Sequence, residues 1–318
     1  MKRETLVRIA PNSKPVTIRV QSILYNTNLA SVERSLEYLD NAARNAIAGG
    51  DVASVAAAYG DCSARPVFDE ETLERLRRSF PNLARIDRTF FGENLGSAGG
   101  HNRLLAENDP GADAGSDFTV IMNPDVLAFP NLFGELLAGF TQPRVGLAEA
   151  RQIPIEHPKD YDPLTGETSW ASTACAMAPT RIFRQLHGFD SDSFFLYCDD
   201  VDFSWRVRLA GYRVVHRSSA AVFHDKRLTA AGGWDASDAE KYYSAEAALL
   251  LTYKYSRADL TEQYLDSFRN SGSAPHVKAA AAIELRKTLG RMPPPIDESH
   301  SVGQFIDGNY AVHRFAAT

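Results

Sequence analysis

Cysteine is scarce in this 318-residue chain, which holds only Cys62, Cys175 and Cys198. Three is an odd number and the spacing fits no metal knuckle. That argues against a disulfide framework and for free thiols in a reducing compartment, the cytoplasm. A basic surplus is missing too. Thirty-four Lys and Arg face forty Asp and Glu, for a net charge of -6, the opposite of a nucleic-acid footprint. No apolar run reaches the roughly 18 residues that span a bilayer, so membrane contact is expected to be peripheral at most, at the inner face of the cell membrane. The start, Met1-Lys-Arg-Glu-Thr-Leu-Val-Arg8, lacks the apolar stretch of a secretory signal. Internal repeats, low-complexity tracts, a Rossmann fingerprint and a Walker A loop are all absent. What remains is a chain that is 44% hydrophobic, enough for one large α/β domain or two smaller ones.

The order of elements narrows this. Val16 to Tyr25, Val52 to Tyr59, Ala84 to Phe91, Phe118 to Met122 and Val145 to Ala150 read as strands. Between them, Leu29 to Ala48, Glu70 to Ser79, a stretch through about Asn108, and Pro130 to Ala138 read as helices. Such alternation implies a parallel sheet covered on both faces. Arg151 to Ser169 reads as a surface loop, and Trp170 to Met177 as a buried strand. Tyr212 to His216 and Ala220 to His224 read as two short strands. From Asp238 on, helices are expected over Ala239–Tyr255, Leu260–Arg269 and His276–Leu289.

In parallel sheets, ligands bind beyond the carboxyl ends of the strands. Tyr25-Asn26, Gly60-Asp61-Cys62-Ser63, Gly92 to Asn102 and Asn123-Pro-Asp125 all fall there. The glycines ahead of a helix suit a phosphate cradle, or else a plain flexible connection. Asp125 can hold Mg2+ or Mn2+, hard cations that prefer oxygen, although Asn-Pro-Asp is also ordinary turn chemistry. His224 ends a strand and can ligate a metal or be a satisfied core residue. Asp199, Asp200 and Asp202 follow the aromatic run Phe194-Phe-Leu-Tyr197 and open a helix. One of them can cap it. Three acids this close repel, so a cationic or proton-donating partner is expected opposite. Trp170 and Trp234 read first as core and wall, with sugar stacking as the alternative, for which Trp234 beside Gly232-Gly233 is the better candidate.

The ordered set resembles family 2 glycosyltransferases, in particular a rhamnosyltransferase-like bacterial branch with the GT-A fold. The matching residues are Tyr25-Asn26, Asn94 to Asn102, Asn123-Pro-Asp125, Gly188-Phe-Asp190, Phe194-Phe195, Tyr197 to Asp202, Arg206, Gly211 and His224. The resemblance spans about Thr17 to Lys254. It implies a Rossmann-like mixed sheet flanked by helices over 1-232, with a donor half of about 16-150 and an acceptor half of about 151-232. A mainly helical extension, 233-318, would follow; it could also supply a homo-oligomer interface.

The resemblance further implies an inverting, metal-dependent transfer from a nucleotide sugar (dTDP-rhamnose or a UDP-hexose) to a glycan or lipid-linked saccharide. Tyr25, Asn26, Asp61, Gly99, Gly100, Asn102 and Asn123 would bind the donor. Asp125 and His224 would hold Mg2+ or Mn2+, and Asp200 would be the general base. Asp199, Trp170 and Trp234 would face the acceptor. Asn123 departs from the family by replacing the first acid of the DxD metal motif, and Asp199 by standing where Glu is common. The rival readings are a non-catalytic GT-A-fold assembly protein and a sugar nucleotidyltransferase. The latter lacks a triphosphate loop after the first strand.

Overall fold

A computed structural model describes residues 14–107, 115–225 and 236–311. The first half runs β1 (Val16–Leu24), α1 (Leu29–Ala48), β2 (Val52–Asp61), α2 (Glu70–Ser79), β3 (Arg85–Phe90), α3 (Gly96–Glu107) and β4 (Phe118–Met122). Then come β5 (Val126–Ala128), α4 (Leu132–Gly139), β6 (Val145–Ile153), β7 (Cys175–Pro179), α5 (Thr180–Gln185), α6 (Asp199–Leu209) and β8 (Arg213–His224). Helices α7 (Asp238–Lys254), α8 (Ala258–Arg269) and α9 (Ala274–Thr288) follow.

Local rules account for the first elements. Asn28 caps α1 by accepting from Ala30 N at 2.8 Å, and Val32, Leu36, Leu39 and Ala43 line its buried stripe. Asp69 caps α2 in the same way through Thr72 N. The eight strands order as β3-β2-β1-β4-β7-β6-β8-β5. Strands β1 to β4 are parallel to one another, as their alternation with helices predicts. The other half is mixed: β7 runs antiparallel to both β4 and β6, while β6 and β8 are parallel.

Four expectations about elements are corrected. Val126–Ala128 is a strand, too short to show alternation, and pairs antiparallel with β8. The two short strands expected over Tyr212–His224 are one strand; a shift in its pairing with β6 after Arg217 hid its continuity. That same pairing carries β6 on to Ile153, three residues beyond its expected end. Trp170 to Ala174 is irregular, and regular pairing begins only at Cys175.

Beside the main core around β1, β2, β4 and β6, a second core joins α6 to the helical tail. Trp205 is fully buried there, edge-on to Tyr255 at 4.6 Å and to Phe305 at 5.2 Å. Truncating such a residue to alanine costs about 3–5 kcal/mol.

Candidate active site

At the carboxyl ends of β1 and β2, two loops are tied together. Asn26 takes φ +51°, and its N–H donates to Ser63 Oγ at 2.8 Å. Tyr25 stands 54% exposed beside it. Asp61 lies at the expected place but is turned inward. Its buried carboxylate accepts from Ser63 N (3.1 Å) and Val67 N (2.8 Å), so it shapes the loop.

The glycines of the next loop serve close packing. A Cβ on Gly96, at φ +68°, would lie 2.1 Å from the Phe195 carbonyl oxygen, which accepts from Ser97 N at 2.9 Å. Gly100 packs on Ile23 and Cys62, while Gly99 has ordinary room. Asn102, expected among the donor contacts, instead clamps α3 to the following segment. Its Nδ2 donates to Phe189 O at 2.7 Å and its Oδ1 accepts from Phe189 N at 2.8 Å. The reason is the adjacent Gly188, whose φ of +69° brings this backbone against the Asn102 amide.

Asp125 and His224 meet. His224 Nε2 lies 3.4 Å from Asp125 Oδ1, with the imidazole buried and the carboxylate side chain 46% exposed. The contact follows from the missed β5, which pairs Val126 with His224, and from Asp225 N, which donates to Asp125 O at 3.0 Å. Gln152, which sequence reasoning passed over, lies on the far side of the ring, its Oε1 2.8 Å from Nδ1. Among the described residues no group of three His, Cys, Asp or Glu side chains is arranged to hold a metal ion. Asp125 and His224 could offer a cation one carboxylate oxygen and one imidazole nitrogen. That donor pair suits Mn2+ or Mg2+ if a diphosphate completes the shell.

The three acids of α6 have three different surroundings. The chain enters this helix through Tyr197 (φ +68°) and Cys198 (φ +55°), a left-handed turn that costs non-glycine residues energy and re-aims the acids. Asp202 is fully buried and neutralised: Lys254 Nζ lies 2.5 Å away, Arg206 Nε 2.8 Å and the Tyr255 hydroxyl 3.1 Å. Here is the expected cationic partner, and Lys254 comes from the tail.

Asp199, expected at the acceptor, is also buried. Burial first, and then the Asp200 charge, push its pKa up to about 7, against a hydrogen bond from Ser97. A closed-off carboxyl cannot touch an acceptor, which corrects that expectation. Asp200 alone of the three is half-buried, its Oδ1 accepting from Val201 N at 2.9 Å.

One strap links the acids to the strand-end pair. Ala171 N donates to Ser204 Oγ at 3.0 Å, and that hydroxyl donates to Asp200 O at 2.7 Å. Ser172 N donates to buried Glu149, and Ala174 O accepts from Asn123 N at 2.9 Å. Trp170 opens the strap and is 3% exposed, with Lys159 Nζ 4.2 Å above its ring and Tyr310 edge-on at 6.1 Å. It is a wall of the second core, as its residue type first suggested, which corrects its expected place at the acceptor. The loop after β6 is itself pinned, Lys159 pairing with Glu149 at 2.5 Å. Trp234 lies outside the described residues. Glu149 and Gln152 had one sequence signal: polar residues inside an otherwise apolar strand.

With this geometry in view, comparison with known proteins assigns the class of fold. The chain superposes on GalNAc-T7 with UDP, GalNAc and Mn2+ at a TM-score of 0.60 and 10% identity, covering 88% of this chain and 55% of that one. It also superposes on a mannosyltransferase from Pyrobaculum calidifontis in complex with GDP-Man and Mn2+. There the TM-score is 0.51 and the identity 17%, over 88% of this chain and 81% of the other. The fold is GT-A, as the motif order implied. In sequence, the chain is 28% identical over 188 residues to the N-acetylglucosaminyl-diphospho-decaprenol L-rhamnosyltransferase of two Mycobacterium tuberculosis strains. That match covers 46% of this chain and 60% of the relative's length. The resemblance to rhamnosyltransferase-like enzymes thus stands, and no family model matches. No helix among the described residues is long and apolar enough to cross a membrane.

Proposed function

We propose that this protein is an inverting, metal-dependent glycosyltransferase. It would move a sugar from dTDP-rhamnose or a UDP-hexose to a hydroxyl of a glycan or lipid-linked saccharide. The observation that carries this reading is the approach of Asp125 to His224, far apart in sequence, at one strand edge of a GT-A fold. The name of the sequence relative, which pairs rhamnosyl transfer with a decaprenol-linked saccharide, favours the rhamnose donor and a lipid-linked acceptor. Such an acceptor would bring the protein to the inner face of the cell membrane as a peripheral guest.

The residues divide the work. Tyr25 and Asn26, with the loop that Asp61 shapes, take the base and ribose. Asn123 and the Gly99–Gly100 start of α3 line the donor path. Asp125 and His224 would hold a divalent cation, Mg2+ or Mn2+, which would supply positive charge beside the leaving diphosphate. Asp200 accepts the proton of the acceptor hydroxyl as that oxygen attacks the anomeric carbon. A base and a leaving group on opposite faces give inversion. The catalytic domain is 1-232, and the helices of 233-318 buttress Asp202 and, through it, the turn that aims Asp200.

The test is transfer or hydrolysis of radiolabelled dTDP-rhamnose and UDP-hexoses with Mn2+. Sugar release that chelator abolishes is expected. Donors left intact across that panel would overturn the reading, and pyrophosphate release from a nucleoside triphosphate would replace it with nucleotidyl transfer.

A further inference from the structure

The proposed metal pair has a partner that neither the motifs nor the relatives point to. Gln152 sits near the end of β6, 2% exposed, with its Oε1 2.8 Å from His224 Nδ1. Its backbone is fixed as well: Gln152 N donates to Glu156 Oε2 at 2.8 Å, and β6 pairs Gln152 with Val222 of β8. The His224 ring therefore has one nitrogen against a buried amide and the other, Nε2, facing the half-exposed Asp125 carboxylate.

An amide oxygen can only accept a hydrogen bond, so a ring nitrogen facing it must carry the proton. Nε2 is then left with its lone pair directed at the Asp125 oxygens. Two electron-rich atoms 3.4 Å apart repel unless a cation comes between them. With the amide reversed, Nδ1 would accept and Nε2–H would donate to Asp125, closing the pair to a metal. The other amide atom, Gln152 Nε2, is buried without a hydrogen-bond partner.

We infer that Gln152 is a positioning residue: it fixes the His224 tautomer that leaves Nε2 free to ligate a divalent cation with Asp125. The inference rests on the metal assignment proposed above, and its test separates the two. Ring partners of metal-bound histidines set the tautomer, and losing one typically costs about 10–100-fold in metal affinity. Mn2+ binding to the purified full chain, with UDP or dTDP present, is read by electron paramagnetic resonance for four variants. Gln152→Leu should bind Mn2+ about 10–100-fold more weakly. Gln152→Glu, which can only accept once ionised, should bind within a few-fold of wild type. His224→Ala should lose the site, and Asp125→Ala should weaken it.

Circular dichroism melts check that each variant is folded. If Gln152→Leu does not fold, Gln152→Glu against Gln152→Lys decides the matter: a side chain that only donates must weaken Mn2+ binding where the carboxylate keeps it. Normal Mn2+ affinity in Gln152→Leu or Gln152→Lys, with the site lost in His224→Ala, overturns the positioning role and leaves the metal reading intact. Unchanged affinity in His224→Ala overturns both.

Discussion

Asp125 keeps nearly half of its side chain in solvent and has a single buried histidine beside it, whereas two of the three acids in α6 are sealed inside the protein. At the strand ends the backbone arrangement does the work, since pairing of Val126 with His224 is enough to bring carboxylate and imidazole together. At the helix start, tertiary contacts sort identical side chains into different chemical states. Asp202 becomes an ion-pair anchor, Asp199 an acid with a pKa near neutrality, and Asp200 the accessible carboxylate. Exposure, not residue type, separates a group that can meet a substrate from one that holds the wall behind it.

That contrast is open to direct attack. The largest effect is expected at Asp200: replacing it with Asn should keep donor binding by calorimetry and cut transfer about 10²–10⁴-fold. Near-normal turnover would hand the base role to another residue. Asp202→Ala should act on stability instead. It strands Lys254 in the interior with Asp190 as remaining partner, at 2.6 Å. Removing one member of a buried pair costs about 3–5 kcal/mol, and urea unfolding should place this variant near the lower figure because of Asp190. A midpoint equal to wild type would mean that Lys254 does not depend on Asp202.

Gly96→Ala comes next. Its Cβ would strike the Phe195 carbonyl oxygen at a positive φ, and strain of about 1–3 kcal/mol is expected in the same measurement. The smallest effect is a pH slope. Asp199 titrates at about 7 when folded, against 3.8 as its ordinary value. Between those values the native state binds more protons than the unfolded chain, so this group's stabilisation is present at low pH and fades as pH rises toward 7. Asp199→Asn should flatten that decline between about pH 4 and 7, read as melting temperature. A slope unchanged by the substitution would refute the buried, proton-holding state.

How far the chain could be read from its residues differs between the same two regions. The strand-end loops were legible because Tyr25-Asn26, Asp61 and Asn123-Pro-Asp125 each close a β-branched or apolar run, and a parallel sheet gathers such ends on one edge. The fates of Asp199 and Asp202 were not legible. Asp202 depends on Lys254 and Tyr255, about fifty positions away in a tail whose helices could be predicted but not docked, and Asp199 on burial and a hydrogen bond from the distant Ser97. Trp170 was ambiguous for the same reason: whether an aromatic beside polar loops is core wall or acceptor contact is decided by Lys159 and Tyr310, which cover it. Asn102 misled because its clamp on Phe189 is made across the fold.

The sequence by itself determined the parallel first half and the strand-end loops that carry Asp125 and His224, because periodicity and turn chemistry are local properties of the chain, whereas the choice of Asp200 among three acids came from the resemblance. Only the tertiary structure decided the mixed second half, the burial of two of three neighbouring aspartates and the amide behind His224. Those outcomes hang on which distant surfaces pack together, and solvent exclusion, which sets the charge and reach of every polar group here, exists only after they have packed.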